Sequence, residues 1–325
     1  MLVRPRRNRQ SAAIRSMVQE TMVGVDDLIY PLFVSSGEGE KEPIPSMPGI
    51  YRYSEANVLD EIEAAVSVGI QAFILFPAIP DQLKDPIASY SYAPENFYLH
   101  VARNIKDTFP EVCLISDVAM DPYSSDGHDG IVKDGEILND ETLEVLGKMS
   151  LAQAQAGFDL IGPSDMMDGR VAYIRNVLDD NHFTSTGIMA YTAKYASALY
   201  GPFRDALDSS PKKGDKKTYQ MNPANRREAL IEASLDVREG ADYLMVKPGL
   251  HYLDIIRELR NNFHLPIVAY HVSGEYAMLM AAAEKNFLNL DQALNETLLA
   301  LKRAGSDLII TYFAKQYATM LSENR

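Results

Sequence analysis

Eight short apolar runs, each bounded by Gly, Pro or Asp, recur along the 325 residues of this chain. Between them lie segments in which apolar residues repeat at helical spacing, an alternation typical of parallel βαβ units. The predicted strands are 28–34, 72–77, 113–120, 158–164, 186–192, 242–248, 266–273 and 307–313. The predicted helices are 55–68, 95–108, 140–156, 168–179, 223–239, 251–263, 275–286 and 291–304.

Eight such units predict an α/β fold, the (β/α)8 or TIM barrel, which commonly needs about 250 residues. An open, doubly wound sheet is the alternative, but it would usually carry GxGxxG after a strand, and this sequence has none. We therefore expect a barrel domain over residues 28–325 and an extended N-terminal arm over residues 1–27. Residues 195–220, rich in Ser, Gly, Lys and Asp in their middle, are predicted to form a mobile lid over an active site.

Composition narrows the function classes. The chain is 46% hydrophobic with a formal net charge of −14, which supports a large core and argues against nucleic-acid binding. The one basic cluster, residues 3–10, is interpreted as a solvated tail or an arm that docks on another subunit. There is no apolar signal core and no apolar run of about 18 residues, so we expect a cytoplasmic protein without a membrane span. Cys113 is the single cysteine, which rules out a disulfide or a CxxC metal site within one chain.

Two apolar strands end on a lysine: "TGIMAYTAKYA" contains Lys194 and "ADYLMVKPGL" contains Lys247. The C-terminal ends of barrel strands meet at one mouth, so both amines are expected there. Burial and a second ammonium nearby both disfavour the charged form, and a neutral lysine amine attacks ketones and aldehydes. Imine formation with a carbonyl substrate is the functional hypothesis. The alternative is that both lysines only pair with nearby aspartates.

Polar residues follow the other strands. Asp121 and Asp129 could bind Mg²⁺, which prefers oxygen ligands, or a substrate amine, or could simply form a solvated turn. Lid residues could supply donors to a carboxylate, most favourably through a guanidinium. The candidates after strands three, four, seven and eight and in the lid are Asp117, Asp121, Asp126, His128, Asp129, Ser164, Asp165, Asp168, Ser273, Tyr312, Arg204, Lys216 and Gln220.

Several long motifs resemble one family. They are "MAYTAKYASALYGPFR", "YQMNPANRREAL", "GADYLMVKPG" and "YHVSGEYAM", with "SMPGIYR" (46–52) and "RPRR" (4–7) near the N-terminus. The sequence resembles porphobilinogen synthase, also called 5-aminolaevulinate dehydratase, from about residue 4 to residue 320. That family condenses two molecules of 5-aminolaevulinate into porphobilinogen with loss of two waters, an early step of haem and chlorophyll biosynthesis. The resemblance implies a lyase.

The resemblance also implies residue roles. Lys247 matches the lysine that forms a Schiff base with the first substrate, and Lys194 matches the lysine that does so with the second. The remaining residues match groups that bind substrate. Those for the first carboxylate are Ser273 and Tyr312, those for the second carboxylate are Arg204, Lys216 and Gln220, and those for the first amine are Asp117, Asp129 and Ser164.

The sequence departs from the zinc-dependent members of that family. Those members carry three cysteines after strand three, where this chain has Ala119, Asp121 and Asp129, so we expect no cysteine-bound Zn²⁺. The chain resembles the aspartate-rich, magnesium-responsive branch, in which an allosteric Mg²⁺ lies near a glutamate that matches Glu232. The family is typically a homo-octamer whose N-terminal arm wraps a neighbour, and residues 1–27 fit that role.

Two other functions compete with the synthase. A lysine-dependent class I aldolase would need only one Schiff-base lysine and usually a phosphate-binding loop near strands seven and eight. A non-catalytic barrel that binds metal or assembles through its arm would need neither lysine. The presence of both strand-end lysines, Lys194 and Lys247, favours the synthase over both alternatives.

Overall fold

A closed barrel of eight parallel strands forms the centre of the protein. The structure is a computed structural model that describes residues 1–37, 39 and 41–323. Each strand pairs with the next, and the last pairs with the first through Leu28–Ile309 and Ile29–Ile310. The strands are β1 (Leu28–Ser35), β2 (Ala72–Ala78), β3 (Cys113–Ile115), β4 (Leu160–Ile161), β5 (Gly187–Lys194), β6 (Tyr243–Lys247), β7 (Ile267–His271) and β8 (Leu308–Thr311). The TIM barrel is thereby confirmed, and the open-sheet alternative is wrong because its two outer strands would stay unpaired.

Helices surround the barrel. The eight that follow its strands are Glu55–Ser67, Phe97–Thr108, Asn139–Gln155, Arg170–Asp180, Glu228–Glu239, Leu253–Asn262, Leu290–Ala304 and Ala314–Glu323. Three more occur in the described residues, at Ala12–Met17, Gly201–Leu207 and Ser273–Glu284. Within these described ranges, every helix is too short or too polar to span a lipid bilayer.

The sequence assigned two of these helices wrongly. Residues 275–286 were counted among the eight barrel helices, but Ser273–Glu284 is an extra helix between β7 and the helix Leu290–Ala304. The helix after β8, Ala314–Glu323, is absent from the predicted elements. It buries Ala314, Tyr317 and Ala318, which recur at helical spacing, so a local signal for this helix is present in the sequence.

One predicted helix and two predicted strands differ most from their expected bounds. The predicted helix 223–239 begins only at Glu228, because the Asn222 side chain accepts from Ala224 N and holds a turn there. Strands β3 and β4 also end early. Beyond them Val118 N donates to Gly162 O and Ser164 N donates to Val118 O, while Pro163 has no N–H to donate toward the neighbouring strand β5.

Two short N-terminal helices precede the barrel, and two short strands follow β1. The 3₁₀ helix Pro5–Arg9 and the helix Ala12–Met17 bury no residue. After β1, the strand Tyr51–Tyr53 pairs in parallel with β1 and antiparallel with the strand Glu42–Pro43. These two strands place Arg52 beside Phe33 at the C-terminal mouth of the barrel.

Two glycines near the mouth provide a test of close packing. A methyl group at Gly274 would lie 2.5 Å from Leu199 O and 2.7 Å from Leu199 Cα, whereas one at Gly201 meets nothing within 4 Å. Because the obstacle is backbone, we expect Gly274→Ala to destabilise the protein by about 1–3 kcal/mol. Gly201→Ala is the matched control and should leave the urea midpoint nearly unchanged. Equal midpoints for the two variants would contradict this packing.

Candidate active site

Lys194 and Lys247 are the last residues of β5 and β6 and are direct cross-strand partners. Neighbouring strands lie about 4.8 Å apart, so the two side chains start from adjacent positions at one end of the barrel. Their exposed fractions are only 6% and 5%. The Lys194 amine donates to the backbone oxygen of Ser164, which follows β4. The structure therefore brings two amines together in a site closed to solvent.

Aromatic rings surround the Lys247 amine. Its Nζ lies 5.1 Å from the ring centre of Tyr191, 5.3 Å from that of Tyr200, 4.8 Å from that of Phe203 and 4.5 Å from that of Tyr270. Within the described residues, Nζ has no hydrogen-bond or ion-pair partner. The ring faces offer the charged form only partial compensation for lost water.

Burial is the largest cause of an altered Lys247 pKa. Burial and the neighbouring Lys194 charge lower the pKa of Lys247 to about 7, while the Asp117 carboxylate opposes the shift. A lysine with such a pKa is substantially neutral at physiological pH. Lys247 therefore has the property required of a nucleophile toward a carbonyl carbon.

Asp117 follows β3 and is buried near both lysines. Burial raises the pKa of Asp117 to about 6, against the opposing charges of Lys247 and Lys194. Its Oδ1 has no hydrogen-bond partner, and neither has the Tyr191 hydroxyl. Because unpaired buried acceptors cost free energy, such a carboxylate is well suited to accept from a ligand amine.

A lid lysine neutralises the acids after β3. Lys216 Nζ lies 3.0 Å from Oδ2 of Asp121 and 3.0 Å from Oδ2 of Asp129. Burial alone would raise the pKa of Asp129, but the Lys216 and Lys194 charges hold it below its ordinary value. Burial and then the Asp129 charge raise the pKa of Asp121. A buried ammonium group thus balances the negative charge of these two carboxylates.

The other two lid donors differ in their surroundings. Gln220 is buried, and its Oε1 has no hydrogen-bond partner. Arg204 is half-buried on the helix Gly201–Leu207, and its guanidinium has no hydrogen bond or ion pair among the residues described. Both side chains are therefore free to meet a ligand.

Hydroxyl groups follow β7 and β8, on the side of the mouth opposite the acids that follow β3 and β4. Ser273 Oγ accepts from Phe203 N at 3.0 Å, and the Tyr312 hydroxyl lies 3.1 Å from the Tyr270 hydroxyl. Phe203 and Tyr270 both contact the Lys247 amine. Only one residue therefore separates each of these hydroxyls, on Ser273 and Tyr312, from the Lys247 amine.

Glu232 lies outside this cluster, on the helix Glu228–Glu239. Burial raises its pKa to about 7, with Arg170 opposing and Asp236 adding to the rise. Arg170 Nη2 is 3.7 Å from an Asp236 oxygen and donates to Tyr191 O at 3.1 Å. Across the described ranges, no three His, Cys, Asp or Glu side chains gather as a set that could hold a metal ion.

Sequence reasoning missed the aromatic shell of Lys247. Tyr200 and Phe203 lie within the quoted motif "YASALYGPFR", and Tyr191 lies three residues before Lys194, but nothing in their spacing marks them as neighbours of one amine. Asp165 was noted only as a strand-end acid. It is fully buried, its Oδ2 has no partner, and burial raises its pKa to about 6.

A cavity of about 1210 Å³ lies outside the site, between the lid and the hairpin Ile131–Lys133 and Glu136–Leu138. His128, Lys213 and Tyr219 are among its lining residues, and neither Lys194 nor Lys247 is. We assign the chemistry to Lys194 and Lys247 because these two amines are buried side by side and do not line the cavity. The cavity is the space left beside a lid that is closed over them.

A barrel with paired buried amines at its mouth is typical of enzymes that capture carbonyl compounds through lysine. The family model described as "Delta-aminolevulinic acid dehydratase" matches residues 2–320, and the chain belongs to the delta-aminolevulinic acid dehydratase family. The relative from Chlamydia pneumoniae is 53% identical over 96% of this chain and 94% of its own length. The chloroplastic relative from Physcomitrium patens is 54% identical over 100% of this chain and 76% of its own.

A solved structure agrees over the full chain. The Toxoplasma gondii enzyme, in complex with its reaction product porphobilinogen, superposes with a TM-score of 0.98 at 52% identity, covering 100% of this chain and 93% of that one. The expectation of a porphobilinogen synthase, a lyase, is thereby confirmed. The aldolase and the non-catalytic barrel are wrong.

Because the two amines are adjacent, removal of one should change the pH at which the other forms an imine. Lys194→Met removes a like charge beside Lys247, so the pKa of Lys247 should rise, although burial keeps it below the ordinary value. Trapping of 5-aminolaevulinate on Lys247 by cyanoborohydride should then show its inflection at higher pH, as measured by peptide mass spectrometry. Lys148→Met, on the surface, is the control. An unchanged inflection in Lys194→Met would show that the two charges do not interact.

Proposed function

We propose that this chain makes porphobilinogen by holding one 5-aminolaevulinate as an imine on Lys247 and the second on Lys194. The observation that carries this proposal is the pair of buried, cross-strand amines, one of them with a pKa lowered to about 7. Each amine attacks one ketone carbon, and each imine releases one water. These account for the two waters of the net reaction, and both lysines are regenerated as the carbon–carbon and carbon–nitrogen bonds of the ring form.

Two attachment points explain how identical molecules take different roles. Each imine fixes its substrate in one orientation, which converts an encounter of two molecules into an intramolecular step. An imine also loses a proton from its α-carbon more easily than a ketone does. The closed lid excludes water, which would otherwise hydrolyse both imines.

The first substrate is proposed to lie against Lys247, with its carboxylate on Ser273 and Tyr312. Its amine is proposed to lie among Asp117, Asp129 and Ser164. Support comes from the two acids, since Oδ1 of Asp117 and Oδ1 of Asp129 are both buried without a hydrogen-bond partner. A substrate ammonium group would supply the missing donors.

The second substrate is proposed to lie on Lys194, with its carboxylate held by Arg204, Lys216 and Gln220. Arg204 is the strongest of these candidates because its guanidinium has no hydrogen bond or ion pair in the described part of the chain. Lys216 already contacts two carboxylates, so it would share its donors with the substrate rather than exchange partners. A bidentate contact to Arg204 would carry most of the carboxylate binding.

A pyrrole assay tests these lysine roles. We expect Lys247→Met and Lys194→Met each to lower the rate of porphobilinogen formation by about a thousandfold or more, because the lost group forms a covalent intermediate. Ehrlich's reagent detects the product, and Lys148→Met serves as the surface control. Substantial activity in either single variant would contradict a two-imine mechanism.

The proposal extends to Mg²⁺ at Glu232, as in a magnesium-responsive enzyme without a cysteine-bound Zn²⁺. Mg²⁺ keeps several waters and often takes only one or two carboxylates, so a hydrated ion suits a site with one half-buried glutamate. Asp168, Glu228 and Asp236 add negative charge nearby, which the single Arg170 balances only in part. A bound ion would supply positive charge there. Asp121 and Asp129 are not assigned a metal, since Lys216 already provides their cation.

Removal of the metal distinguishes activation from catalysis. After chelation, we expect Mg²⁺ to raise activity in the unaltered protein and Zn²⁺ not to do so. Glu232→Gln should retain its metal-free activity and lose the response to Mg²⁺, while Glu144→Gln, an exposed glutamate on another helix, should keep that response. A full Mg²⁺ response in Glu232→Gln would place the ion elsewhere.

We also propose a role for the N-terminal arm and a cellular location for the protein. Residues 1–27 are inferred to dock on a neighbouring subunit of a homo-octamer, which would cover the exposed side chains of Met1, Leu2, Val3 and Met17. Sedimentation velocity of a Leu2→Asp, Met17→Asp double variant checks this, since an unchanged octamer would refute it. A cytoplasmic location is proposed too and needs fractionation, because the plant relatives are named chloroplastic.

A further inference from the structure

The helix Gly201–Leu207 forms a roof over Lys247. Phe203 places its ring 4.8 Å from Lys247 Nζ, and the preceding Tyr200 donates to Lys247 O at 3.0 Å. The Phe203 ring also packs at 5.0 Å against Phe76 and at 5.7 Å against Phe33. The position of this short helix therefore determines how completely water is excluded from the Lys247 amine.

Arg52 holds the C-terminal end of that roof. Its Nε donates to Ala206 O at 2.5 Å and its Nη2 donates to Asp205 O at 2.8 Å. The third nitrogen, Nη1, pairs with Glu42 at 2.6 Å. All three nitrogens are engaged, so the guanidinium acts as a fork between the Glu42 carboxylate and two carbonyls that lie about 150 residues further along the chain.

The strand that carries Arg52 explains this contact. Arg52 is the cross-strand partner of Phe33 on β1, and partners in a parallel pair point to the same side of the sheet. Phe33 uses that side to contact the ring of Phe203, and Arg52 uses it to contact the end of the same helix. Arg52 closes the motif "SMPGIYR", to which no step of the reaction assigns a role.

A seven-residue helix depends on such contacts. Isolated helices of this length are unstable in water, and the carbonyls of the last turn have no partner inside the helix. A cation is favourable at that end, and Lys84 supplies a second one by donating to Asp208 O at 2.9 Å. The roof is thus anchored to the barrel, whereas the lid residues Lys212, Lys213 and Gly214 beyond it are exposed.

We propose that Arg52 is a positioning residue for the reaction, which seats Phe203 against Lys247 by holding the carbonyls of Asp205 and Ala206 and so keeps the nucleophilic amine dehydrated. The proposal rests on the proposed role of Lys247 as a Schiff-base lysine. Loss of the fork lets the helix end lift and water reach the amine. The lowered Lys247 pKa, caused first by burial, agrees with a sealed roof.

The test follows imine formation at each lysine separately. Arg52→Ala, Arg52→Lys and Glu42→Gln are incubated with 5-aminolaevulinate and cyanoborohydride across a pH series, and adducts on Lys247 and Lys194 are counted by peptide mass spectrometry. In Arg52→Ala the Lys247 inflection should move up by about one pH unit, which is roughly a tenfold loss of neutral amine below the inflection. The Lys194 adduct is the internal reference, and its inflection should not move upward, because a more highly charged Lys247 disfavours the charged form of its neighbour.

The two companion variants distinguish loss of the Arg52 carbonyl contacts from a general loss of stability. Arg52→Lys keeps the charge but cannot hold two carbonyls in a fork, so it should shift the Lys247 profile in the same direction by less. Glu42→Gln removes the ion pair and leaves the carbonyl contacts, so its profile should match that of the unaltered protein. Thermal unfolding identifies any variant that does not fold, in which case Arg52→Lys carries the test.

Two outcomes would overturn the proposal. One is a Lys247 profile that stays unchanged in folded Arg52→Ala or Arg52→Lys. The other is an equal shift at both lysines, which would mean general loosening of the mouth. If the unaltered protein forms no adduct at either lysine, the Schiff-base mechanism itself is wrong, and that result is distinct from failure of the Arg52 fork.

Discussion

The exclusion of water from the Lys247 amine is the physical constraint on which the rest of this structure depends. A charged ammonium in such a place is costly, and four rings provide only weak electrostatic compensation. The protein lowers that cost by letting the group become neutral, as the pKa of about 7 indicates. In the proposed mechanism the neutral form is the reactive one, so the same desolvation that opposes charge would create the nucleophile.

The remaining charges are arranged around that constraint. Asp117 lies near both lysines and keeps a free oxygen, while Lys216 neutralises the pair Asp121 and Asp129. The lid therefore contributes both a cation to the acids and an aromatic roof to the amine. Closure of one segment completes two electrostatic environments at once, which ties the reactivity of Lys247 to the lid.

Much of this arrangement could be predicted from the sequence, because barrel strands are short apolar runs whose ends meet at one mouth. That rule alone placed Lys194 and Lys247 side by side. The prediction omits the helix Ala314–Glu323, although Ala314, Tyr317 and Ala318 recur at helical spacing, and it extends β4 past Pro163, which has no N–H for the ladder. Both signals are local and present in the sequence, so these two errors are errors of interpretation.

The aromatic shell and the Arg52 fork could not be predicted, because both depend on contacts between distant segments. Phe203 comes from the lid, Tyr270 from β7 and Arg52 from a strand beyond β1, and no spacing in the sequence relates them. The resemblance to a family supplied residue roles, yet it did not indicate that Lys216 would lie between two carboxylates.

The central claim is that each of two lysines captures one ketone in the same molecule. The most direct measurement uses 4-oxopentanoate, which has the ketone and carboxylate of the substrate but lacks its amine and so cannot complete the ring. After borohydride reduction, the mass of the chain should rise by two adducts, with one on Lys194 and one on Lys247. A single adduct at saturation, or adducts on other lysines, would contradict the account.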